Sequence, residues 1–341
     1  MTIALDATYS VGRQLSGVGI YSRHLILGLA ERHPEARYLW CYRPHRFVRS
    51  LGLVLPRGCM RFPLFDALPP RSALFHGLNQ RLPEGKLRRT VSTFHDLFVL
   101  TAEYSSPEFR ARFAAQAREA AERSDLVIAV SRFTAHQVQE LLRVPGERIR
   151  VVPHGVRFDA DVSGGPREPV VLSVGAIQKR KNTLRLVEAF EQTPRGWRLL
   201  LAGSTGYESE EVLSRISRSS RRGDIELLGY VDDEKLRSLY ARASIFAFPS
   251  LDEGFGIPVL EAMAAGVPVV TSNSGALAEV AGDAAALVDS RSTEAIAAGL
   301  EGLMNDGGLR DRLANSGRQR AREYSWERAV ESTWRVYQEL I

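Results

Sequence analysis

Cysteine is nearly absent. The 341 residues hold two, Cys41 and Cys59, and neither belongs to a C-x-x-C pair. That argues against a disulfide framework and a structural zinc site. Cys41, beside the strand-like Tyr38-Leu39-Trp40, reads as a buried thiol. Lysine is scarce as well: only Lys86, Lys179, Lys181 and Lys235 occur among 45 basic residues. Two of the four stand within three positions in Gln178-Lys179-Arg180-Lys181-Asn182. No apolar run reaches the ~18 residues of a membrane span. The N-terminus meets an acid at Asp6 and has no basic n-region, so no signal peptide is expected and the cytoplasm is the expected location. The G-x-G-x-x-G fingerprint is missing, which speaks against a dinucleotide dehydrogenase. A basic helix or aromatic-interleaved patch is missing too, so no nucleic acid is expected as partner.

A chain of this length suits two domains of about 150 residues. With 44% hydrophobic and 25% charged residues, each half can bury a core. Charge is uneven. Residues 1–150 carry 22 basic and 13 acidic residues, whereas residues 151–341 carry 23 and 27. The basic N-terminal half reads either as a face for an anionic membrane or acceptor, or as a solvated arginine-rich surface.

Short apolar runs alternate with helical segments through both halves. In the first half strands are expected near 2–6, 37–42, 73–75, 90–94, 125–130 and 148–152, with helices near 18–31 and 107–123. In the second half strands are expected near 169–174, 197–202, 224–228, 244–248, 267–271 and 285–288. Helices fall near 182–192, 208–220, 233–243, 257–265 and 292–305. This alternation predicts an α/β fold of two Rossmann-like domains with parallel, doubly wound sheets. The turn-rich Phe158–Pro166 is the expected linker. The expected domains are 1–157, joined by an amphipathic helix over 325–341 with Ser325 as N-cap, and 166–324.

Ligands of open parallel sheets sit beyond the carboxyl ends of the strands. After the first strand come Gly17 and Gly19 in Ser16-Gly17-Val18-Gly19, opening a helix where backbone could approach an anion, or serving only as a structural turn. His95-Asp96 ends the strand at 90–94 and could do acid–base work, bind a sugar hydroxyl, or act through the His95 carbonyl. Ser131 reads as a helix N-cap.

The second half is more specific. The strand at 169–174 runs into Gly175-Ala176-Ile177-Gln178-Lys179-Arg180-Lys181-Asn182. Cations at a strand end before a helix suit a diphosphate, and they stabilise the charge that grows on a departing one. Most informative is Glu253-Gly254-Phe255-Gly256-Ile257-Pro258-Val259-Leu260-Glu261. Glu253 lies in a glycine-flanked loop and can accept from vicinal hydroxyls, with amide donors of Gly254, Phe255 and Gly256 nearby. Glu261 stands two helical turns on among apolar neighbours, where a carboxylate needs partners that ribose hydroxyls would provide.

These residues resemble the family-4 type of retaining glycosyltransferases with the GT-B fold. The matching pieces are EGFGIPVLEAMAAG, VGAIQKRKN, FHDL, GVGIY, VVPHGV and the terminal YSW helix, in the expected order over nearly the whole chain. The variant with Arg180-Lys181-Asn182 is most similar to bacterial mannosyltransferases of polysaccharide and O-antigen assembly. The resemblance implies two facing domains with a cleft and a nucleotide-diphosphate sugar bound mainly by the second. Arg180 and Lys181 would meet the phosphates, Glu253 the sugar and Glu261 the ribose. His95 would lie near the sugar, and the Tyr230-Val231 backbone near the base. The implied reaction moves a hexose, foremost mannose from GDP-mannose, onto a lipid-linked or cell-surface glycan, with retention and without metal or other cofactor. A UDP-hexose or deoxysugar nucleotide is the alternative donor, and a non-hydrolysing epimerase the alternative enzyme. Many members carry arginine where Ala176 stands, which shifts the phosphate role to Arg180 and Lys181.

Overall fold

Thr90-Val91-Ser92-Thr93-Phe94 carries no charge on either face, only apolar groups and small hydroxyls, and a strand of that kind suits a covering layer on both sides. All five residues are buried. The same logic organises most of the protein, a computed structural model that describes residues 1–12, 14–157 and 166–341. The chain divides into two units. The first comprises Met1–Ala102, Pro107–Gly155 and Ser325–Ile341; the second comprises Glu103–Ser106 and Val156–Tyr324.

In the first unit β1 (Thr2–Asp6), β2 (Arg37–Tyr42), β3 (Cys59–Pro63), β4 (Leu74–Gly77), β5 (Thr90–Phe94), β6 (Leu126–Ala129) and β7 (Ile149–Val151) form one parallel sheet. Their order is β3-β2-β1-β4-β5-β6-β7. Side chains alternate between its faces. Ile3 and Leu5 join Leu25, Leu29, Trp40, Val330 and Tyr337 on one side. Ala4 joins Phe75, Phe94, Ala117 and Val138 on the other. Helices Gly17–Arg32 and Trp326–Gln338 contribute to the first core, and Pro107–Arg123 and Arg132–Leu142 to the second. The expected caps hold: Ser131 accepts from the Thr134 amide and Ser325 from the Arg328 amide.

The second unit holds β8 (Glu168–Val174), β9 (Arg198–Ala202), β10 (Ile225–Gly229), β11 (Ala243–Phe248), β12 (Val269–Ser272) and β13 (Ala286–Val288). They too are parallel, in the order β10-β9-β8-β11-β12-β13. The winding reverses between β8 and β11, so the loops leaving these two neighbours lie side by side at their carboxyl ends. Val171, Phe190, Leu199, Ile245, Val270 and Leu300 form the core on one side.

Several elements were not expected from the sequence, among them helices Pro44–Ser50 and Gly275–Ala281, strand β3 and helix Gly307–Ala321. β3 is an edge strand, Cys-Met-Arg-Phe-Pro, buried on neither face as deeply as the central strands, so its apolar pattern is weak. Helix Gly307–Ala321 is mostly polar, with three glycines, and reads locally as loop. Residues 103–106 group with the second unit, where Asp252 is a charge neighbour of Tyr104. The linker expected at Phe158–Pro166 lies, Pro166 apart, outside the described residues. No helix among the described residues is long and apolar enough to cross a membrane.

A buried polar chain ties the first unit together. Tyr337 hydroxyl meets His76 Nδ1 at 2.6 Å, His76 Nε2 meets Thr93 Oγ1 at 2.8 Å, and Thr93 Oγ1 meets Tyr21 hydroxyl at 2.9 Å. Burial, and then the His95 charge, push His76 from its ordinary 6.5 down to about 3. The imidazole is neutral when folded and charges on unfolding, so the unfolded chain binds more protons between about pH 6.5 and 3. Stability is therefore full above that window and falls as pH drops through it, at up to roughly 1.4 kcal/mol per pH unit from this one group. Denaturant melts from pH 7 to pH 4 should show the decline, and His76→Gln should flatten it. An unchanged slope in that variant would rule out His76 as its source.

Candidate functional site

The loops leaving β8 and β11 are stitched to each other. The Leu251 amide donates to the Arg180 carbonyl at 2.9 Å. Asn182 donates from Nδ2 to the Pro249 carbonyl at 3.0 Å and the Ser290 carbonyl at 2.6 Å. Asn182 itself sits at φ +59°, a left-handed conformation that asparagine tolerates better than most residues. It ends the short 3₁₀ turn Lys179–Lys181, beside the strand ends.

There Arg180, Lys181 and Glu253 meet. Lys181 Nζ lies 2.5 Å from Glu253 Oε1 and Arg180 Nη1 lies 3.1 Å from Oε2. Arg180 also donates to the Asp252 carbonyl at 2.6 Å, and Lys181 stands 4.7 Å from the centre of the Phe248 ring. All three charged side chains are at most 15% exposed. Burial alone would raise the Glu253 carboxyl, but the Arg180 and Lys181 charges outweigh it and hold it below the ordinary carboxylate range. Two cations against one anion leave the trio with an excess positive charge, which suits an anionic ligand.

Glu261 lies in helix Ile257–Ala264, 2% exposed. Its partners are within the chain: Arg157 Nε at 2.9 Å from Oε1 and the Tyr240 hydroxyl at 3.1 Å from Oε2. Arg157 reaches Asp233 as well, at 2.7 Å. Here burial prevails, and the Glu261 carboxyl is raised despite Arg157. The two glutamates of the motif are both buried, with opposite electrostatic outcomes.

Between them Gly254, Phe255 and Gly256 are buried, and the Phe255 ring packs edge-on against Tyr324. Gly256 has a structural duty. At φ +109° it precedes helix Ile257–Ala264, and a Cβ there would stand 2.6 Å from Leu277. Tyr230 and Val231 follow β10; Tyr230 is 46% exposed and Val231 half-buried. Asp232 caps the next helix by accepting from the Lys235 amide.

Gly17, Gly19 and His95 belong to the first unit. Gly17 begins helix Gly17–Arg32 at the surface. Gly19 is buried, and a Cβ on it would meet the Tyr9 carbonyl at 2.8 Å, so close packing accounts for this glycine. Both His95 ring nitrogens are occupied. Nε2 donates to the Leu78 carbonyl at 2.9 Å, and Nδ1 faces His154 Nε2 at 3.3 Å. Since the carbonyl only accepts, the neutral ring carries its proton on Nε2. Burial lowers His95 to about 4. A ring so engaged is a poor proton shuttle near neutral pH.

Sequence reasoning missed Arg157, Tyr240 and Asn182. Arg157 is one of many arginines, and Asn182 acts through a backbone conformation that spacing does not encode. A D-x-D spacing, Asp159-Ala160-Asp161, lies outside the described residues.

Residues 159–320 match the model described as glycosyl transferases group 1, and residues 15–160 match glycosyltransferase family 4. The O-antigen chain mannosyltransferase B of Escherichia coli is 34% identical over 98% of this chain and 99% of its own length. Among solved structures, the sucrose-phosphate synthase of Thermosynechococcus elongatus has a TM-score of 0.82 at 22% identity, covering 99% of this chain and 98% of that one. Anabaena HepE, solved with UDP and glucose, has a TM-score of 0.76 at 18% identity, covering 99% of both chains. Two Rossmann-like units, the two family matches and a full-length relative agree: the chain is a glycosyltransferase of family 4 with the GT-B fold.

Proposed function

We propose that this enzyme moves mannose from GDP-mannose onto a lipid-linked or cell-surface glycan, retaining the anomeric configuration and using no metal. The observation that carries the donor site is Glu253 held between Arg180 and Lys181 at the point where the second sheet reverses its winding. The name of the full-length relative supports mannose. In this reading Arg180 and Lys181 receive the diphosphate and stabilise the charge it gains as the glycosidic bond breaks. Their pairing with Glu253 fixes both cations before the donor arrives. Glu253 stays ionised and accepts from sugar hydroxyls, while Glu261 accepts from the ribose. The departing phosphate takes the acceptor's proton on the same face of the sugar. The His95 carbonyl contacts the sugar, and the Tyr230-Val231 backbone the base; the Gly17–Gly19 backbone serves as a further donor-binding group. The acceptor is bound through residues around 43–72 and 98–110. The enzyme works in the cytoplasm, peripheral on the inner face of an anionic membrane that its basic first unit contacts.

A second reading keeps the site and changes the donor to a UDP-hexose or deoxysugar nucleotide. HepE, solved with UDP and glucose on a similar fold, favours it. Thermal shift with GDP, UDP and dTDP separates the two: GDP should stabilise most, and equal shifts or none would remove the donor assignment.

Lys181→Ala and Glu253→Ala should each lower kcat on the order of 100-fold or more, as removal of preorganised transition-state contacts does. Wild-type kinetics for Lys181→Ala would contradict its phosphate role. Glu261→Ala should chiefly raise the donor KM. Arg157→Ala strips the buried Glu261 of its counter-charge and should cost roughly 3–5 kcal/mol in urea melts. Arg157→Lys should recover most of that loss. Equal damage from Ala and Lys would mean that the guanidinium's packing matters there rather than its charge.

A further inference from the structure

The five most exposed large apolar side chains among the described residues fall within one 21-residue stretch of the first unit. They are Val54 at 94%, Val48 and Leu68 at 73%, Met60 at 64% and Leu51 at 58%. Single exposed apolar residues need no explanation, but five so close in sequence do. They sit on helix Pro44–Ser50, on the turn after it, on β3 at the sheet's edge and just beyond β3. The turn is not loose. Arg61 of β3 donates to the Ser50 carbonyl at 2.9 Å and also to the Leu53 carbonyl, while Phe47, Leu53 and Leu55 pack into the core. The inward side chains anchor the segment and the outward ones are left in water.

Charge concentrates in the same place. Residues 43–71 hold six arginines and one acid, Asp66; the rest of residues 1–150 hold 16 basic and 12 acidic residues. Asp66 is already taken by Arg43 at 2.7 Å and by Arg81 at 3.0 Å. The stretch thus has no acid left to balance Arg46, Arg49, Arg57, Arg61 and Arg71. A nucleotide or a free glycan gains little from aliphatic tips, and a purely electrostatic partner has no use for them. An anionic bilayer surface takes both, with aliphatic tips at the acyl boundary and guanidinium groups among the phosphates.

We propose that the segment Pro44–Arg71 seats the enzyme on an anionic bilayer, inserting Val48, Leu51, Val54 and Met60 between headgroups that Arg49 and Arg57 pair with. The inference rests on the reading that the first unit contacts a membrane, and it names the surface that does so.

The test is cosedimentation of the full chain with phosphatidylglycerol vesicles and with phosphatidylcholine vesicles at low salt. Wild type should bind the first and not the second. R49Q/R57Q should bind about 25-fold more weakly, at about fivefold per arginine. V48D/V54D should lose binding, and the charge-matched control R118Q/R222Q should keep it. Thermal melts and the nucleotide-induced shift should be unchanged in all variants, which separates this proposal from the transferase reading. If wild type ignores both vesicles, the membrane reading itself falls. If wild type binds and V48D/V54D binds equally, this segment is not the anchor. Equal binding to both lipids would overturn the charge pairing. A wild-type dimer that V48D/V54D converts to monomer, without vesicle binding, would make the face a self-association surface instead.

Discussion

Glu253 is a carboxylate largely withdrawn from water, and a charge so placed persists only with counter-charge in contact. Arg180 and Lys181 supply it, and much else in the second unit follows from bringing them there. Adjacency of β8 and β11 sets two strand-end loops beside each other. Asn182 in its left-handed conformation ends the turn, and the Leu251 amide and Asn182 amide group lock the loops. Each cation is long and flexible by nature, and holding both against one carboxylate removes that freedom in advance. The arrangement is strong because charge, backbone and strand order require one another.

The second glutamate of the motif shows how differently one side chain can be set eight residues away. Glu253 has two cations and stays ionised; Glu261 has one, shared with Asp233, in a more apolar surround, and its carboxyl is raised. Near neutral pH Glu253 is thereby a fixed acceptor. Glu261 is a group whose charge depends on Arg157, a residue just past the end of the first unit. The motif is best described as two carboxylate environments on one loop and helix, with Gly256 as the joint between them.

Most of this architecture was legible in the residues. Central strands such as β5 and β12 are uniformly apolar or small, so their number and type follow from the need to cover both faces. The site was legible as far as Arg180, Lys181, Glu253 and Glu261, because buried or clustered charge stands out against an apolar background. What escaped was of two kinds. β3 and helix Gly307–Ala321 are only partly buried, so their periodicity is diluted. Arg157, Tyr240 and the engaged ring of His95 act through contacts between residues 17 to 104 positions apart, and local pattern carries no record of those.

The helix Trp326–Gln338 belongs to the first unit although all of the second lies before it in the chain. Trp334 and Tyr337 complete a core that begins at Ile3, and Tyr337 closes the hydrogen-bond chain through His76. On the ribosome the second unit's residues are all available before the first unit's last helix emerges, and domains generally fold as units during synthesis. The amino-terminal unit therefore matures last. It waits with an apolar face uncovered through the translation of some 170 residues that belong to its neighbour, an interval in which a chaperone that shields apolar surface has its natural client.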